Sequence, residues 1–211
     1  MEPKFTISDV FQTSWKCVKS QIWVLVGLLI GYLIINMIIT LFATPVQSST
    51  GGIIVVNLIS IIISCVFMLG YFKNLFQALD GEEPQFSAYG QQSRKILTYF
   101  IASLLFGICV GIGILLLIVP GIYLALRLQF FGAFIVEENT GIIESLKRSW
   151  AITEGQVMPL FLLALTMIGI SLIGLILFVV GIFVAMPINY TMYCYTFRKL
   201  NAVAIQPTEE F

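Results

Sequence analysis

Long apolar runs separated by short polar stretches make up most of this chain. A helix needs about 20 apolar residues to cross a hydrocarbon core of about 30 Å. Ile22–Ala43, Ile53–Phe72 and Ile96–Val119 meet that length. Ile122–Val136 is shorter and needs residues at its inner end to complete a crossing. Val157–Tyr195 is too long for one span and must fold back, with Gly181 as the turn candidate. The pattern therefore predicts an all-α integral membrane protein of six transmembrane helices, arranged as three hairpins within a single membrane domain, 1–211. The first run starts only at Ile22 and is too long for the apolar region of a secretory signal.

Polar stretches before the spans have their own pattern. Ile7, Val10, Phe11, Trp15, Val18 and Ile22 recur at helical spacing, with Lys16 and Lys19 off that face. Thr6 and Asp9 stand at capping-box spacing. A shift of 135 residues lays Ile7 on Ile142, Asp9 on Glu144, Ser14-Trp15 on Ser149-Trp150, and Gln21 on Gln156. A weaker stretch, Phe86 to Lys95, precedes the third span and is interrupted by Gly90. A second shift, of 60 residues, lays the segment from Leu115 through Pro120-Gly121 to Leu126 on Leu175 through Gly181 to Met186. Together they suggest repeats over 6–79, 86–138 and 140–200, each an interfacial amphipathic helix, a span out and a span back. Such helices lie in the interfacial plane. They serve either as docking platforms or as elbows that orient the next span, with Trp15 and Trp150 as interface anchors.

The charges orient this bundle. Ten of the eleven Lys and Arg residues fall before the first span, between the second and third, between the fourth and fifth, or after the sixth. All eleven acidic residues lie on the same side. The opposite connections, Thr44–Gly52, the Pro120-Gly121 corner and the Gly181 turn, carry no charge. The positive-inside rule makes the charged side cytoplasmic and places both termini there.

Composition then removes function classes. Hydrophobic residues make up 59% and charged residues 10%, and the mean hydropathy is +1.00, so lipid is part of the solvent. The formal net charge of +0 argues against nucleic acid. The absence of histidine excludes Ser-His-Asp and Cys-His catalysis and histidine metal sites. No aspartate pair lies within the spans, and no Walker or Rossmann phosphate loop is present. Neither an enzyme nor a cofactor is expected. Cys17, Cys65, Cys109 and Cys194 read as small buried hydrophobes rather than a disulfide framework.

Three polar signatures look familiar: Pro120-Gly121-Ile122-Tyr123-Leu124-Ala125-Leu126-Arg127, Ile135-Val136-Glu137-Glu138-Asn139, and Glu144-Ser145-Leu146-Lys147-Arg148-Ser149-Trp150. With Gly81-Glu82-Glu83-Pro84-Gln85-Phe86-Ser87 they resemble a broad set of bacterial six-helix membrane proteins. That set includes the membrane domain attached to some glycerophosphoryl diester phosphodiesterases. The resemblance implies a cytoplasmic-membrane protein. The phosphodiesterase activity belongs to a separate soluble domain and is not carried over.

Arg127 is the one charge inside a span. It lies six residues past Gly121, about 9 Å along a helix axis. An arginine at mid-span costs roughly 2.5–3.5 kcal/mol on insertion scales and is kept when it has a partner, yet no span contains Asp or Glu. Its partner is a backbone carbonyl, an amide, water or an external anion; the alternatives are snorkelling to the outer interface or a structural clamp. Asn36, Asn57, Gln129 and Asn189 sit at similar depth and form a polar layer if they converge, although such amides also glue helices together. Gly27-xxx-Gly31 and Gly107-xxx-Gly111 predict close packing between helices of this chain. The resulting expectation is a non-enzymatic protein that binds membrane lipid or another anionic amphiphile in an outer-half polar cavity. The alternatives are a carrier for a small or amphipathic solute, or an accessory subunit docking a membrane or cytoplasmic protein partner.

Overall fold

The computed structural model describes residues 3–44 and 49–205, all helix and connecting turn. Five helical stretches within them are long and apolar enough to cross a membrane: Ile7–Ala43, Thr50–Leu79, Ser93–Leu116, Ile118–Glu138 and Val157–Ile176. Their outer faces are apolar: Trp23, Leu115 and Ile176 expose 88%, 87% and 77% of their surface, which only lipid can cover favourably.

Helix α1, Ile7–Ala43, carries a kink at Gln21, whose φ of −128° and ψ of 25° leave the helical region. The kink separates the amphipathic start from the span that begins at Ile22. Gln21 Nε2 then donates to the Glu82 carbonyl at 2.9 Å. Gln156, its counterpart under the 135-residue shift, has a similar backbone (φ −111°, ψ 13°) just before the helix α8, Val157–Ile176. Its side-chain oxygen accepts from the Lys4 amide at 2.9 Å. The amphipathic face is turned from its expected setting. Val10, Ser14 and Val18 are buried, while Phe11 and Trp15 are 38% and 44% exposed. Thr6 is the N-cap but makes no side-chain cap bond; Asp9 instead accepts from Tyr195 Oη and pairs with Lys199, both at 3.3 Å.

Helix α2, Thr50–Leu79, returns the chain, its N-terminus capped by Ser49 Oγ accepting from the Gly52 amide at 3.1 Å. The weak stretch after it forms only the short α3, Ser87–Gln91, and a 3-10 turn, Ser93–Lys95. Helix α4, Ile96–Leu116, follows.

The two outer bends differ from expectation in position. The chain turns at Leu117 (φ −163°, ψ 145°), three residues before Pro120, and at Leu177, four residues before Gly181. These bends superpose under the 60-residue shift. Gly121 and Gly181 are points of contact rather than turns. A Cβ on Gly121 would meet Ile114 N at 2.7 Å, and one on Gly181 would meet Gly174 O at 2.3 Å. Conversely, a Cβ on Gly27, Gly31, Gly107 or Gly111 would meet nothing within 4 Å, so the expected packing through those stripes does not form among the described residues.

The expected fourth span is two helices, α5 (Ile118–Leu128) and α6 (Phe131–Glu138), broken at Gln129-Phe130. Asn139 ends α6 in the left-handed conformation (φ 57°), which asparagine tolerates, and α7, Ile142–Ile152, folds back. The last helix, α9 (Phe178–Ile205), pairs with α8 and α1. The densest core lies toward the charged end, where Tyr71, Phe76, Phe130, Phe134 and Phe197 are almost fully buried. All four cysteines are free, and Cys109 is exposed rather than buried.

Candidate functional site

The break between α5 and α6 exposes backbone groups that a membrane interior does not forgive, since no water is there to bond them. The neighbouring helices take them up. Ser149 Oγ donates to the Arg127 carbonyl at 2.9 Å and accepts from the Phe130 amide at 3.0 Å. Thr153 Oγ1 lies 3.1 Å from the same carbonyl, and Tyr193 Oη donates to the Gln129 carbonyl at 2.7 Å. Buried Ser149 and Thr153 thus hold α7 against the end of α5.

The Arg127 side chain has no such support. It is only 4% exposed, and its guanidinium makes no hydrogen bond or ion pair with any described residue; Nε is buried without an acceptor. Its carbon Cζ lies 4.2 Å from the Trp150 ring centroid and 5.8 Å from that of Tyr123. Those rings meet edge to face at 5.8 Å and cover the guanidinium from outside. A desolvated cation–π contact contributes about 2 kcal/mol, and it leaves the N–H donors unmet. A cation held between rings with its donors vacant is chemically fitted to a planar or tetrahedral oxyanion.

This location corrects the expected one. Arg127 is ten residues beyond the Leu117 bend, about 15 Å along the axis, rather than the expected distance of about 9 Å from a corner at Gly121. Its ring partner belongs to α7, whose exposed side carries Glu144, Lys147 and Arg148. The five expected ligand residues do not share one cavity. Asn36 Nδ2 is spent on the Tyr32 carbonyl of its own helix at 2.9 Å. Asn57 lines a groove of about 860 Å³ between α2 and α4, beside Ser60, Ser64 and Ser103. Gln129 borders a central cavity of about 170 Å³. Asn189 bonds Ser171 Oγ at 2.8 Å and the Met167 carbonyl at 3.1 Å, bordering a groove between α8 and α9. Trp15 borders a separate apolar groove of about 450 Å³ that reaches Gly174 and Gly181.

Sequence reasoning missed Ser149, Thr153 and Tyr193 as the groups that hold the break. The Ser149-Trp150 match to Ser14-Trp15 was the available signal for the first. Behind α6 a second arginine has the opposite character. Arg198 pairs with Asp80 (Nη2–Oδ2 2.9 Å) and Glu137 (Nη2–Oε1 2.6 Å) and lies 5.1 Å over the Phe76 ring. No group of three or more metal-ligating side chains occurs among the described residues.

Comparison with known proteins gives relatives without an assigned role. Over 108 residues the chain is 30% identical to uncharacterized protein Rv2560 of Mycobacterium tuberculosis and to uncharacterized protein Mb2590 of Mycobacterium bovis. The match takes in 51% of this chain and 33% of each relative, so the chain spans about a third of their length. No solved structure matches. Residues 53–209 match a family described as a domain of unknown function, DUF7847, and the chain belongs to that family.

Proposed function

We propose that this is a non-catalytic, six-span protein of the bacterial inner membrane that binds an anionic amphiphile, with the head-group oxyanion on Arg127 beneath Trp150 and Tyr123. In this reading α9 supplies the sixth crossing, three hairpins form the bundle, and both termini are cytoplasmic. The head group then approaches from the α7 side rather than from the outer half.

The carrying observation is an arginine only 4% exposed, with Nε fully buried, whose guanidinium has no acceptor among the described residues. An arginine in this setting is expensive unless something meets its donors. The break at Gln129-Phe130 fixes its position through Ser149 and Thr153, so the donors are pre-organised.

The test is native mass spectrometry of the purified full chain from lipid-containing micelles. The wild type should retain an anionic lipid in preference to a zwitterionic one. Arg127→Ala should lose it, and Trp150→Ala should weaken retention. Unchanged retention in Arg127→Ala would rule the site out.

A further inference from the structure

The cavity beside Gln129 has a strongly aromatic wall. The rings of Phe72, Tyr99, Phe131, Tyr190 and Tyr193 surround about 170 Å³ at the middle of the bundle. Phe72 and Tyr193 stack at 5.3 Å and 15°, and Tyr190 meets Phe72 edge-on at 6.1 Å. Tyr99 and Phe131 lie tilted at 5.7 Å. Gly132 keeps the space open: a Cβ there would stand 3.1 Å from Tyr99 Cε2 and 3.2 Å from Phe72 Cε2.

The chemistry of this lining is one-sided. It holds no Lys, Arg, Asp or Glu. Gln129 donates its Nε2 to the Leu126 carbonyl at 3.0 Å, and its side-chain oxygen has no donor among the described residues. Aromatic faces carry the negative part of the ring quadrupole. Five rings and the Gln129 side chain line this space with no cationic side chain to hold an anion, so a guest that gains from ring contact is favoured over an oxyanion. Without a carboxylate, a small hydrated ion gains too little to shed its water. A cation whose charge is spread over alkyl groups loses far less on shedding water, and aromatic cages suit it. The size agrees, because a cavity of about 150 Å³ holds a guest as large as benzene.

Two grooves come close to this cavity. Tyr99 also borders the open groove between α2 and α4, where Asn57 and Ser60 lie, and Met167 borders the groove beside Asn189. The central cavity is thus one side chain away from the bilayer on two flanks.

We propose that this aromatic cavity binds a quaternary or alkyl-ammonium cation admitted laterally past Tyr99. The site is separate from Arg127 and does not depend on the anionic reading.

Calorimetry on the full chain in lipid nanodiscs tests it, with choline, tetramethylammonium and the neutral tert-butyl isostere of choline as probes. Both ammonium ions should bind, and the uncharged isostere should bind at least about tenfold more weakly. Phe72→Leu should weaken choline by a similar factor, whereas Arg127→Ala should leave it unchanged. Equal affinity for the isostere, or no saturable binding of either ammonium ion, would overturn the proposal, and neither outcome depends on a variant that must fold. Loss of lipid retention in Arg127→Ala with choline binding intact would separate the two sites.

Discussion

Arg198 and Arg127 each lie over an aromatic ring, yet one is paired and the other is not. Arg198 stands at the charged end, partly open to water, with Asp80 and Glu137 around its guanidinium. Arg127 lies beneath Trp150 and Tyr123, and no carboxylate or carbonyl among the described residues bonds its guanidinium. The surroundings of Arg198 explain why that arginine is there: it ties the end of α2 to α6 and α9. No described residue does the same for Arg127, whose main-chain carbonyl is held by Ser149 and Thr153 while its side-chain donors have no acceptor among the described residues. A structural clamp needs only the former. The vacant donors set the two regions apart and point outside the chain.

Variants at both places sharpen this contrast. The largest loss is expected from Arg198→Met, which strands Asp80 and Glu137. We expect about 2 kcal/mol, between the roughly 0–1 kcal/mol of exposed pairs and the roughly 3–5 kcal/mol of broken buried ones. Thermal unfolding in detergent should show this loss whether or not anionic lipid is added, because the partners of Arg198 are internal.

Ser149→Ala comes next. It leaves the Phe130 amide without an acceptor and removes one of the two hydroxyls at the Arg127 carbonyl. The expected penalty is about 1–2 kcal/mol, measured in the same way. It should also loosen lipid retention, since α7 carries Trp150. A Ser149→Ala protein with wild-type stability would show that the break is held by something else.

The smallest effect is expected from acid. Arg198 beside Asp80 lowers that carboxyl below its usual range, chiefly by hydrogen bonding. A carboxylate whose folded pKa is depressed contributes stability above the unfolded value, and that stability is lost as pH falls through the folded one. Stability should therefore drop from about pH 4 downward. Half of the Asp80 side chain is exposed, so solvent screening keeps its share modest. In Asp80→Asn the acid slope should flatten, and an unchanged slope would remove Asp80 from the account.

Much of the architecture was legible because apolar periodicity and bilayer thickness both act locally. The five long apolar stretches and the Gln21 junction follow from residue order alone. The bends were legible in register, since the 60-residue shift aligns Leu117 with Leu177, but not in position. Glycine marks both a turn and a close contact, and only packing distinguishes them. The break at Gln129-Phe130 was not legible. Ile122–Val136 has no proline and only Arg127 and Gln129 as polar positions, and its interruption depends on hydroxyls of α7 and α9 distant in sequence. For the same reason Arg127 was identifiable as an unpaired charge, while its depth and its ring partner were not. The amides scattered because helical spacing sets a residue's depth but not the side of the bundle it faces.

The contrast between the two arginines is tested most directly by the sign of one stability change. The melting temperature of wild type and Arg127→Met is measured in stringently delipidated micelles, then after an anionic phospholipid is restored. Removing a buried, unmet charge should raise the melting temperature of Arg127→Met above wild type without lipid, and restoring lipid should lift wild type past the variant. If anionic lipid shifts both proteins equally, or if Arg127→Met is less stable than wild type in the delipidated state, Arg127 is a clamp and the account is wrong.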